Sequence, residues 1–114
     1  MNKIVKLNRE QVEMRASALT PILYTSFFNK DFYGEYNKAI ESNAGMFLSE
    51  IAYIMHVQAV KESPQTYLKT AKMDEYYEFL DKYPSLEFVN KMADIIAVLL
   101  DVQKGNSTAK KKSQ

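Results

Sequence analysis

The chain has 114 residues, 46% apolar and 25% charged, with no cysteine. That length suits one domain and that balance a soluble globular protein, while the missing thiols exclude disulfides, thiol nucleophiles and cysteine-ligated metals and suit a reducing cytoplasm. The formal charge of +1 hides a division, because residues 1–103 carry 11 basic and 14 acidic groups and the rest of the chain adds only Lys104, Lys110, Lys111 and Lys112. An acidic body lacks the basic stripe of a nucleic-acid-binding domain, so no nucleic-acid partner is expected.

The first residues, Met1 to Asn8, contain no uninterrupted apolar stretch of signal-peptide kind. Residues 4–7 and the alternation of Val12, Met14 and Ala16 with Glu13, Arg15 and Ser17 predict a β-hairpin turning at Asn8-Arg9-Glu10. A lone hairpin is unstable, so it must pack on the helices C-terminal to it. Thr20-Pro21 predicts a helix start with Thr20 as N-cap. That helix carries Leu23, Tyr24, Phe27 and Phe28 and stops at Asn29. A second helix from about Asp31 sets Phe32, Tyr33, Tyr36 and Ile40 on one side, and Asp31 favours its positive end. After a break at residues 42–45, residues 46–61 form a helix apolar nearly all round, as expected of a central one.

Ser63-Pro64 repeats the cap-plus-proline start and opens a short helix through Leu68. Residues 73–83 predict another, aligning Tyr76, Phe79, Leu80 and Tyr83 before Pro84 closes it. Ser85 then caps a last helix from Leu86 to about Lys104. On one continuous wheel Val98 falls among the polar residues Glu87, Asn90, Lys91, Asp94 and Asp101, which marks it as surplus apolar surface. Its longest apolar run, residues 95–100, is too short to cross a bilayer, and no membrane partner is expected. The expected fold is mainly α with a small N-terminal β-hairpin, an α+β arrangement. Five to six helices form a compact bundle over residues 20–104 of a single domain 1–104, with the hairpin at 1–17 and a disordered lysine-rich tail at 105–114.

Residues able to do chemistry are sparse. His56 is the only histidine and has no cysteine to share a zinc ion with. The acids Asp74, Glu75, Glu78 and Asp81 lie within two turns, but their spacing is that of a solvated helix face rather than an EF-hand. Three scattered glycines build no phosphate-binding loop. No catalytic, cofactor-binding or metal-binding residue is assigned, and an enzyme is not expected. The residues that suit a protein interface are the aromatics and spare aliphatics of the C-terminal half: Tyr76, Phe79, Tyr83, Val98 and Val102.

Taken together, the hairpin, Ala16-Ser17-Ala18-Leu19-Thr20-Pro21, Tyr24, and Phe27-Phe28-Asn29-Lys30-Asp31 resemble the opening of tail assembly chaperones from siphophages of Gram-positive hosts. Asn29 stands where that family's turn has glycine, a change that left-handed backbone tolerates. Ile51-Ala52-Tyr53-Ile54-Met55 is similar to the family's middle helix, and Tyr77-Glu78-Phe79-Leu80-Asp81 to its acidic-aromatic-leucine segment, though without the tryptophan common there. The resemblance implies a chaperone that binds the tape measure protein, a long helical client, and keeps it soluble during tail morphogenesis. It also implies a place in the cytoplasm of the infected or lysogenic host, absence from the mature virion and possible self-association into multimers. Two other readings remain: a virion structural or connector protein, and a helical regulatory protein.

Overall fold

Two strands and seven helices succeed one another along residues 2–42 and 45–100, the part of the chain that the computed structural model describes. Strands β1 (Lys3–Leu7) and β2 (Glu10–Met14) pair antiparallel with Leu7 opposite Glu10, leaving a two-residue turn. Asn8 and Arg9 both take positive φ, 51° and 74°, as the tight hairpin turn that matches strand twist demands. The predicted alternation holds: Val5, Leu7, Val12, Met14 and Ala16 are buried. Two bonds tie β2 and its exit to the central helix. The Arg15 amide donates to the Met55 carbonyl at 2.9 Å, and His56 Nδ1 lies 2.8 Å from the Glu13 carbonyl, which can only accept. His56 also stacks on Phe79. Its role is to fix the hairpin.

The first helix, α1 (Leu19–Phe28), starts earlier than predicted. Thr20 is not its N-cap but a fully buried residue inside it. Ser17 takes the capping part: its Oγ accepts from the Leu19 amide at 3.1 Å, while Thr20 Oγ1 accepts from the Ser17 amide at 2.9 Å. This reciprocal pair is a capping box with threonine in the usual acid's place. Thr20 Oγ1 then donates to Gln58 Oε1 at 2.6 Å, so the cap also locks α1 to the central helix. At the other end Asn29 takes left-handed φ and ψ of 57° and 44°, as the sequence predicts.

Helix α2 (Phe32–Ser42) is opened by Asp31, whose Oδ2 accepts from the Gly34 amide at 2.9 Å. A Cβ on residue 34 would come within 2.9 Å of that oxygen, so the cap and the glycine belong together. The buried side of α2 is Phe32 and Ala39 with Tyr36 half-buried, whereas Tyr33 and Ile40 face outward against expectation. Of the break predicted at residues 42–45, Ser42 belongs to α2 and Gly45 to the next helix, and residues 43 and 44 lie outside the described ones.

Helix α3 (Gly45–Val60) is the hub, with eleven buried residues from Phe47 to Gln58. It meets β2, α1, α2, α5 and α6. Side chains touching partners on so many sides explain its nearly uniform apolarity. Beyond it, α4 (Pro64–Thr70) packs on α1, and α5 (Met73–Asp81) packs on α3. The last predicted helix is two: α6 (Glu87–Asn90) ends at Lys91, whose φ and ψ of −102° and 17° interrupt the helix, and α7 spans residues 92–100. In α7 the inward residues are Ile95 and Val98, at 0% and 6% exposure. Ile95 follows the buried Phe88 by seven residues and keeps its helical phase. Val98 is covered from its polar side by β1, in a shallow cleft shared with Lys3 and Val5. The expectation of an exposed valine fails because the helical wheel leaves out the hairpin that packs there. Val102 and the expected tail at 105–114 lie outside the described residues. No helix among the described residues is long and apolar enough to cross a membrane.

Candidate functional site

A concavity of about 730 Å³ forms a groove between the first turns of α3, the α5 helix and the α5–α6 link. Its elements are held close by a missing side chain. A Cβ at Gly45 would stand 2.8 Å from Val89 Cγ2, so α3 and α6 approach as they do because residue 45 is glycine. Tyr76 forms part of the floor at 5% exposure, joined by Phe28, Leu80 and Phe88. The rim is unusual for a folded domain: Met46, Tyr77 and Leu86 are large apolar residues exposed by 66%, 57% and 66%. Single exposed apolar side chains are ordinary, but three around one apolar concavity make it the candidate interaction surface.

The buried polar groups of the groove, on Ser49, Glu50 and Tyr76, are already paired. Glu50, at 4% exposure, receives the Tyr24 hydroxyl on Oε1 at 2.7 Å and Lys30 Nζ on Oε2 at 2.7 Å. A buried carboxylate needs such partners, since losing one leaves charge uncompensated. Ser49 Oγ donates its single proton to the Met46 carbonyl at 2.8 Å, so it accepts from Tyr76 Oη at 2.9 Å. What the groove offers a visitor is therefore apolar surface.

Burial sets the tyrosines' acidity. It pushes the Tyr76 phenol up to about 12. Tyr83 also rises to about 12, first through burial and then through the Glu10 carboxylate that its hydroxyl approaches at 3.3 Å. Tyr24 is driven higher still by burial and by its bond to Glu50. Tyr53 rises through burial too, and its hydroxyl is the one buried side-chain polar atom without a partner among the described residues. Tyr67, bonded to Glu75, completes this set. These phenols stay neutral at ordinary pH and serve packing.

Of the five expected interface residues, the structure brings Tyr76 and Tyr83 to the groove. Phe79 points to the other side of α5, against Tyr53, His56, Tyr83 and Phe88, at 6% exposure. It is a core residue. Val98 is buried elsewhere, beside β1. Sequence reasoning missed Met46, Leu86 and Val89. The signal for Leu86 was its place just after Pro84, where a helix has not yet begun and a side chain need not follow the wheel. Met46 had a signal as well, standing off the main apolar face of its helix. Among the described residues no group of three or more histidine, aspartate or glutamate side chains could hold a metal ion. Comparison with protein-family models, with curated proteins and with solved structures finds no match.

Proposed function

We propose that this chain is a tail assembly chaperone that binds the tape measure protein through the α3–α5–α6 groove and keeps it soluble while the tail is built. The observation that carries this reading is the groove itself, an apolar concavity with large apolar side chains exposed on its rim and its buried polar groups already paired. A long helix awaiting its tube exposes an apolar stripe, and laying that stripe in a groove is an established mode of recognition. Many weakly bound copies along one client would hold it by avidity and still leave as the tube polymerises. The sequence resemblance supplies the biological setting: work in the host cytoplasm, departure before the virion is complete, and copies that associate with one another.

The test is co-expression with a tape measure protein. The reading expects a larger soluble fraction of that client and a complex that survives co-purification. An unchanged soluble fraction, with this chain found instead in assembled particles, would replace the chaperone by a connector.

A further inference from the structure

We infer that the groove selects a helix carrying lysine or arginine along one edge of its apolar face, laid with that edge against α5. The inference rests on groove docking and adds the chemistry of the client. Successive side chains of a helix step round by about 100°. Moving outward on α5 from Leu80 in the groove, the residues met are Tyr77 on the rim, then Asp81 and Asp74, then Glu78. The nearest lysine, Lys82, lies further round. All three carboxylates are exposed. Their side chains take part in no ion pair or hydrogen bond among the described residues, where the basic partners Lys30 and Lys38 are held by Glu50 and Glu35.

The facing wall differs. It is formed by Met46, Leu86 and Val89, without a charge. At one end of the groove Lys30 and Glu50 neutralise each other. Negative charge therefore runs along one wall only, just outside the apolar rim. Such an arrangement adds modest affinity but distinguishes partners and sets which way round a helix lies. A client helix with acids on that edge would meet like charge there, and one with bases would be drawn in.

The test uses the full chain and three synthetic helical peptides of about 18 residues, or five turns, in a fluorescence anisotropy titration. The peptides share one leucine face and carry lysine, serine or glutamate at its edge. The expected order is lysine over serine over glutamate, spanning roughly tenfold at low salt for two or three exposed pairs and shrinking as salt rises. Replacing Asp74→Lys together with Asp81→Lys should reverse the order. Both sites are exposed, and unchanged circular dichroism would certify the fold. Leu86→Glu should weaken all three peptides alike. Equal affinities, or an order that the double replacement leaves in place, would overturn the charged-edge inference while leaving groove docking intact. Failure of every peptide to bind would overturn the inference too, and co-expression with the client would then judge the chaperone reading separately. A sedimenting dimer that Leu86→Glu dissociates would assign the groove to a second copy and overturn the inference as well.

Discussion

On its hairpin flank α3 is sealed: Leu7 and Met14 are fully buried, and the Met55 carbonyl and His56 ring each hold a backbone group of the hairpin side. On its α5–α6 flank the same helix stands beside an open groove, with Met46, Tyr77 and Leu86 more than half exposed. Composition does not separate the two flanks, because both are apolar. Closure does. A strand pair with strict alternation can present a flat apolar face and leave nothing uncovered, whereas two short helices joined by a proline-containing link meet α3 at an angle and leave a gap. The closed flank provides stability, and the open one is where the proposed partner would dock.

The comparison is broken most severely at the sealed flank. Leu7→Ala removes a side chain with 0% exposure and should cost about 2–5 kcal/mol, read as a lower urea midpoint at unchanged slope. Alkaline titration comes next. Tyr76 and Tyr83 are raised from 10.0 to about 12 in the folded chain. Above pH 10 the unfolded state therefore gives up protons that the folded state keeps. Their contribution is complete below about pH 10 and is lost as pH climbs toward about 12. Cooperative unfolding should appear in that window, with phenolate absorbance rising in step. Early, non-cooperative ionisation of all the tyrosines would show that the aromatic floor is wet.

Smaller effects sharpen the contrast. Arg9 has a φ of 74° at a turn position that suits glycine, so Arg9→Gly should raise stability by about 0.5–1 kcal/mol in the same urea titration. Leu86→Ala, at a residue 66% exposed, should change stability by less than about 0.5 kcal/mol. It should nevertheless lower the soluble fraction of a co-expressed client. A stability loss at Leu86 as large as that at Leu7 would mean the two flanks do not differ in kind.

What was legible in the sequence was mainly local. The turn at Asn8-Arg9, the alternation through Val12 and Met14 and the left-handed stop at Asn29 each depend on neighbours a few residues away. The central place of α3 was legible because a helix surrounded on many sides must be apolar on many sides. The misreadings have equally physical causes. Thr20 looked like a cap because threonine before proline usually is one, but a buried partner, Gln58, gave its hydroxyl a different use. Val98 looked exposed because the wheel of its own helix does not show β1, distant in sequence, lying beside it. The groove could not be read at all: it arises from how close Gly45 lets α3 come to Val89, some forty residues away. Tyr76 and Tyr83 were found because they are aromatic residues of the C-terminal half, whereas Leu86, at the start of the last predicted helix, was not singled out.

The most direct test of the docking surface is hydrogen–deuterium exchange on this chain alone and bound to a soluble segment of its client. The account predicts added protection over residues 73–89 and the first turn of α3, with the β1–β2 hairpin unchanged. Protection concentrated on the hairpin, with the groove segments exchanging as in the free chain, would contradict it.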